Sequence, residues 1–186
     1  MVKITFDLDG VIIPNIEKSC ELFGIDYTKI TTYKINDCKL LTEEEKAKIK
    51  SGFTRAEIFE YSGTSFGSEY MEDLAQKCEM HINSLCGSDE VKEYKKELLK
   101  KLIPSLNFDN INLGDCGEFV VKLFDETDVV VEDCLENLLN NYDKFKRAYL
   151  IDHLYNRDVD ISKYDKIIRV SNLKQAIDKI LECDLR

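Results

Sequence analysis

The chain has 186 residues, enough for one core domain carrying a small insertion and burying a proper apolar interior. Hydrophobic residues make up 44% and charged ones 33%, a globular composition, and no run approaches the roughly 18 uninterrupted apolar residues of a membrane helix. A formal charge of −10 argues against non-specific binding to nucleic acid polymers or anionic membranes, but leaves room for a small phosphorylated substrate held by local cations and a metal.

The opening MVKITFDLDG has no apolar signal region and reads as a strand that begins at once. Cysteines stand at 20, 38, 78, 86, 116, 134 and 183, an odd number without a C-x-x-C pair, and are expected as free thiols in a reducing cytoplasm. His81 and His153 are the only histidines and neither lies at ligand spacing from a cysteine, so no zinc site is expected. Cys86, beside Gly87, has no matched base in view and reads as an ordinary thiol rather than a nucleophile.

In chain order, VKITF (2–6) is the first strand, and it runs into Asp7 and Asp9 within FDLDGV. A helical region follows over about 15–78. Thr42 with Glu45 and Thr54 with Glu57 have capping-box spacing, and Gly24 and Gly63 stand where helices end. MHIN (80–83) is a short strand that ends at Ser84. Ser88 can cap a helix whose apolar positions Val91, Tyr94, Leu98 and Leu102 recur until Pro104 stops it. NINL (110–113) is a third strand, and Lys122 lies ahead of a fourth, DVVVED (128–133). Three consecutive valines suit a parallel strand buried on both faces. Leu135, Leu138, Leu139 and Tyr142 mark a helix, AYLI (148–151) and KIIRV (166–170) are strands, and Asn172 with Gln175 opens the last helix. Strands alternating with helices predict an α/β fold, a doubly wound parallel sheet whose ligand sits beyond the carboxyl ends of the strands.

Asp7 and Asp9 stand at one such end, Glu132 and Asp133 at another, and Ser84 at a third. Gly10 lets the backbone bend sharply after the first pair. Together these are the parts of a phosphoryl-transfer site. A carboxylate can attack phosphorus, and a second acid can protonate the leaving oxygen and later deprotonate water. Carboxylates from two strand ends can hold Mg²⁺, and a hydroxyl and an ammonium can neutralise phosphate oxygens. Taken singly, the acidic pairs also fit a solvated turn or a helix N-terminus, Ser84 a turn, and Lys122 a surface position.

FDLDGV, Ser84, Lys122 and the Glu132–Asp133 pair resemble motifs I to IV of the haloacid dehalogenase superfamily. The resemblance runs over about residues 1–14 and 80–182. It implies a catalytic core of 1–14 and 79–186 with residues 15–78 as a small helical cap inserted after the first strand. It further implies Asp7 as nucleophile, Asp9 as acid and base, and Ser84 and Lys122 as phosphate ligands. Mg²⁺ would be held by the Asp7 carboxylate, the Asp9 backbone carbonyl and Asp133, with Glu132 in its outer shell.

A narrower resemblance lies in VVVEDCLENLL, HLYNR (153–157) and IRVSNLKQAIDKIL, which are similar to the tail of the 5'(3')-deoxyribonucleotidase family. That family implies nucleoside monophosphates as substrates, although Ser84 replaces its usual threonine. The cap aromatics Tyr27, Tyr33, Phe53, Phe59, Tyr61, Phe66 and Tyr70 could stack a base or form core, which helix register decides. Other expectations stand beside this one: a phosphatase for a sugar phosphate or phosphoserine, or a catalytically silent binding protein on the same fold. His81 is expected to pack on a helix, His153 to lie near the rim of the site, and Arg157 to approach the site or form a structural ion pair.

Overall fold

The computed structural model describes residues 1–116 and 122–185. Among these the strands are β1 (Lys3–Phe6), β2 (Glu79–Cys86), β3 (Ile111–Asp115), β4 (Thr127–Glu132), β5 (Phe145–Ile151) and β6 (Ile167–Val170). They form one parallel sheet in the order β3-β2-β1-β4-β5-β6. Phe6 pairs with Ile82 on one side of β1 and with Val131 on the other. The chain moves outward from β1 to β3 and then returns to the opposite side of β1 at β4. The order therefore reverses between β1 and β4, where a sheet of this kind opens a crevice.

The valine run explains the central place of β4: Val129 and Val131 pack into one apolar cluster and Val130 into another. The first cluster joins β1 to the helices α5 (Asp89–Leu102) and α7 (Leu173–Lys179), through Val91, Leu99, Ala176 and Ile177. The second joins Ala148 and Leu150 to Leu138 of α6 (Leu135–Asn140). Both faces of the sheet are thus covered, as a parallel sheet requires.

Four short helices fill the segment after β1: α1 (Asn15–Phe23), α2 (Glu43–Gly52), α3 (Ala56–Ser62) and α4 (Met71–Ala75). Ile16, Cys20, Ile25, Ile30, Ile35, Cys38, Leu41 and Ile49 form an apolar cluster of their own. Phe59, Met71 and Leu74 pack instead into the main cluster beside β1. No helix among the described residues is long and apolar enough to cross a membrane. All seven cysteines are free.

Local signals held where nothing competed for them. Ser88 and Asn172 accept the amides of Val91 and Gln175, and Gly24 ends α1 in the left-handed region. Thr42 and Glu45 form the full capping box at α2, while Thr54 does not cap α3. The Thr54 hydroxyl donates to the Ser51 carbonyl, closing the end of α2 two residues before α3 begins. Two further differences bear on the site. β2 runs on to Cys86 because Ser84, Leu85 and Cys86 pair with Leu113, Gly114 and Asp115, so Ser84 lies within the strand. The deepest line of α5 is Val91, Lys95 and Leu99, with Tyr94, Leu98 and Leu102 only partly buried beside it.

Thr42→Ala is expected to lower stability by about 1 kcal/mol, read from urea denaturation. Its partner Glu45 is held down to about 2 by hydrogen bonds from the Lys29 ammonium and the Thr42 amide. Because the folded state depresses this pKa, the contribution is complete above the ordinary glutamate range and fades as pH falls toward about 2.

Candidate active site

β1 delivers Asp7 to the reversal point. Its amide donates to the Val131 carbonyl at 3.0 Å, which carries the ladder one residue beyond the strand. Its Oδ1 accepts the Leu8 amide at 2.7 Å, and its Oδ2 lies 2.8 Å from Lys122 Nζ. The chain then turns tightly, with the amides of Val11, Ile12 and Ile13 all directed to the Leu8 carbonyl. Gly10 serves this turn twice. Its φ is +77°, and a Cβ there would collide with Asp133 Oδ2.

From β4, Glu132 places Oε2 at 2.7 Å from the same Lys122 ammonium. Its Oε1 accepts the amides of Asp133 and Cys134 and the Asn137 side chain, at 3.3, 3.1 and 3.3 Å. The next residue, Asp133, accepts the Tyr155 hydroxyl on Oδ2, and its backbone carbonyl accepts Asn156 Nδ2 at 2.7 Å. Asp133 Oδ1 is buried with no hydrogen-bond partner among the described residues. One carboxylate oxygen from each of Asp7, Glu132 and Asp133 lies within 4.8 Å of the others, and all three residues are buried.

The charges do not balance within this cluster. Burial opposes the Lys122 ammonium, but the carboxylates of Asp7 and Glu132 outweigh it and hold its pKa above the ordinary lysine value. Burial, then the Asp7 charge, push Glu132 well up. The same two causes push Asp133 up to about 7. Among the described residues three carboxylates thus share one ammonium, and one of their buried oxygens lacks a donor. An all-oxygen set with surplus negative charge fits a hard divalent cation such as Mg²⁺ better than a thiophilic metal.

A second group lies on the other side of Leu8. Asp9 Oδ2 is 2.8 Å from Lys95 Nζ, which also donates to Ser84 Oγ at 3.2 Å and to the Leu85 carbonyl at 2.9 Å. Lys95 is 0% exposed, with its ammonium 5.0 Å from the centre of the Phe59 ring. Burial raises the Asp9 pKa; Lys95 works against this and the Asp7 charge adds to it, and the balance stays upward. Asp9 Oδ1, like Asp133 Oδ1, is buried without a partner among the described residues.

The structure therefore brings Asp7, Lys122, Glu132 and Asp133 into one cluster and Asp9 and Ser84 into an adjoining one. Lys95, which joins the latter two, was missed by the sequence reading. Its only signal is a lysine at four-residue spacing between the buried Val91 and Leu99.

Above the site, His153 Nε2 donates to the Gly10 carbonyl at 2.6 Å, and its Nδ1 accepts Tyr27 Oη at 3.5 Å. Its ring stacks on Tyr155, and Tyr33 meets Tyr155 edge-on with centroids 5.8 Å apart. Arg157 pairs with Asp152 at 2.8 Å with its side chain half exposed, a structural ion pair. His81 pairs with Glu79 at 2.7 Å. Cys86 is buried and burial raises its thiol pKa, the opposite of an activated nucleophile.

A sheet of this order, with three buried carboxylates where it reverses, defines an α/β protein with an acidic crevice at its switch point. No protein-family model and no curated protein matches the sequence. Solved structures do match. A haloacid dehalogenase-like hydrolase from Streptococcus pneumoniae aligns with a TM-score of 0.58 and 12% identity, over 97% of this chain and 98% of that one. A hydrolase from Pseudomonas syringae gives 0.52 and 15%, over 98% and 99%. The HAD-hydrolase YfnB from Bacillus subtilis, in a magnesium-bound form, gives 0.53 and 11%, over 95% and 97%. The chain has the haloacid dehalogenase-like fold.

Proposed function

We propose that the protein is a Mg²⁺-dependent phosphatase that hydrolyses a small phosphate ester through an aspartyl phosphate on Asp7. One observation carries this reading. Asp7 stands at the sheet's reversal point, within reach of the Lys122 ammonium and of the Glu132–Asp133 carboxylates, with a second acid two residues on.

In the first half-reaction an Asp7 carboxylate oxygen bonds to phosphorus as the ester P–O bond breaks, and Asp9 gives its proton to the departing oxygen. The raised Asp9 pKa favours the protonated form that this step requires. In the second half, Asp9 takes a proton from water, the water oxygen bonds to phosphorus, and the Asp7–phosphorus bond breaks to release inorganic phosphate. Lys122 and the Leu8 amide hold the plane of the Asp7 carboxylate throughout. Ser84, whose Oγ accepts from Lys95 and keeps its own hydrogen, and Lys122, with one N–H beyond those directed to Asp7 and Glu132, supply donors for the phosphoryl oxygens.

The carboxylates of Asp7 and Asp133 and the Asp9 carbonyl would hold Mg²⁺, which would supply positive charge against the negative charges of the nucleophile and the phosphoryl group. Asp133 suits direct ligation because its Oδ1 has no other partner. Glu132 suits the outer shell because both its oxygens are already engaged. The magnesium-bound neighbour on the same fold is in keeping with this choice of metal.

Residues 15–78 are the proposed cap over a core of 1–14 and 79–186. A core that grips only phosphate and metal leaves discrimination among esters to the cap. There Tyr33, 39% exposed, offers a ring beside Tyr155 at the edge of the site. An aromatic edge suits the planar base of a nucleoside monophosphate better than a sugar phosphate or phosphoserine.

Turnover of p-nitrophenyl phosphate that requires Mg²⁺ and stops in EDTA is the first expected result. The second is a preference for deoxynucleoside monophosphates over sugar phosphates by about ten-fold or more in kcat/KM, or about 1.4 kcal/mol. Equal rates across the panel would remove the nucleotidase reading alone. No turnover of any ester would remove the phosphatase reading and leave a binding protein.

A further inference from the structure

Tyr155 ties the apolar cluster built from residues 16–49 of the inserted segment to the strand ends of the sheet. It belongs by sequence to the turn after β5, yet its ring is 4% exposed and packs in the apolar cluster of the inserted segment, with Ile16, Cys20 and Ile49. His153 stacks on one face at 4.9 Å, and Tyr33 of the insertion meets it edge-on. The other end of the side chain leaves this apolar setting, and its hydroxyl donates to Asp133 Oδ2. Next in the chain, Asn156 Nδ2 donates to the Asp133 carbonyl and to the Ile151 carbonyl, both at 2.7 Å. Asp133 is thus fixed at its backbone by one residue and at one carboxylate oxygen by the other, which leaves Oδ1 as the oxygen without a partner among the described residues.

We propose that Tyr155 is a positioning residue that couples the seating of the cap to the affinity of the metal site. The inference rests on the reading of Asp133 as a direct Mg²⁺ ligand. A carboxylate tied at Oδ2 presents Oδ1 in one orientation, whereas an untied one must lose side-chain freedom on binding the ion. The hydroxyl can hold Oδ2 only while its ring is held, and cap residues hold the ring on the sides that His153 does not cover. Gly10 adds to the constraint, since a Cβ there would collide with Asp133 Oδ2 and come within 2.9 Å of the Tyr155 hydroxyl. A tyrosine serving merely as core would need some acceptor for its hydroxyl, but not one whose second oxygen is kept free beside two other carboxylates.

The test is calorimetric titration of Mg²⁺ into the wild-type protein, Tyr155→Phe and Tyr33→Ala, with thermal unfolding of each in EDTA. Tyr155→Phe keeps the ring and removes only the tie. It is expected to bind Mg²⁺ about 10–100-fold more weakly, the usual effect of losing a residue that orients a metal ligand. Its melting temperature in EDTA stays close to wild type, and raising Mg²⁺ restores kcat, which a purely structural role would not produce. Tyr33→Ala keeps the hydroxyl but loosens its seat, and weakens Mg²⁺ several-fold. Mg²⁺ affinity of Tyr155→Phe within two-fold of wild type overturns the proposal. Should that variant not fold, unchanged affinity in Tyr33→Ala overturns it instead. A wild-type protein that takes up no Mg²⁺ overturns both this inference and the metal reading beneath it, which separates the two failures.

Discussion

Asp7→Asn is expected to reduce phosphatase turnover at least about 10³-fold while leaving the protein folded. The amide loses the charge of the nucleophile, and it also cannot satisfy its neighbours. Lys122 Nζ donates to one Asp7 oxygen at 2.8 Å and the Leu8 amide to the other at 2.7 Å. Whichever way the asparagine turns, its NH₂ group faces a donor, so the side chain is both inert and displaced. Asp9→Asn makes the comparison informative. That variant loses acid and base help, worth ~10²–10⁴-fold, and the loss should be large with an alkyl phosphate and much smaller with p-nitrophenyl phosphate, whose leaving group needs little protonation. Steady-state kinetics of both variants on both esters separates the roles. An Asp7→Asn protein that keeps more than a few per cent of wild-type turnover would exclude Asp7 as nucleophile. Equal losses for the two esters in Asp9→Asn would reject the acid role.

Residues whose position depends on local pattern were legible in the sequence, and those placed by distant pairing were not. The valine run alone marks β4 as a strand buried on both faces, and the acidic residues after β1 and β4 follow because strand ends lie near the ends of apolar runs. The register that brings them together is non-local, yet the rule for parallel sheets supplies it. The MHIN pattern ends β2 at Asn83, whereas the strand continues to Cys86 with Ser84 inside it, because its end is decided by β3, nearly thirty residues away. Lys95 sits in DEVKEYKKELLKKL, where lysines recur on several faces, and only the docking of α5 on the sheet shows which one is buried. Tyr33 lies in a stretch with no regular period, and its contact with Tyr155 spans more than a hundred residues. Thr54 shows the limit of local rules themselves, since its capping signature was overridden by the end of the preceding helix.

Lys122→Met is expected to destabilise the protein by about 3–5 kcal/mol in EDTA, the usual result of removing one partner from a buried ion pair. Lys122 is 4% exposed and its ammonium lies between Asp7 and Glu132, at 2.8 and 2.7 Å. Methionine fills most of the same volume, so the loss is electrostatic rather than a cavity. Glu132 is already pushed up by burial and by the Asp7 charge, and removing its counter-charge raises it further. A carboxyl pKa higher in the folded than in the unfolded state means that the folded protein holds more protons. Stability of the variant therefore falls as pH rises through the folded pKa, and the penalty is larger at pH 8 than at pH 6. Two additions should reverse part of it. Mg²⁺ returns positive charge to the cluster, and Glu132→Gln in the same chain removes one of the unpaired negative charges. Urea denaturation of the single and double variants at both pH values, with and without Mg²⁺, reads all of these effects. A Lys122→Met protein as stable as wild type at pH 8 in EDTA would mean that the ammonium does not lie between the two carboxylates, and the charge argument for a divalent cation would lose its base.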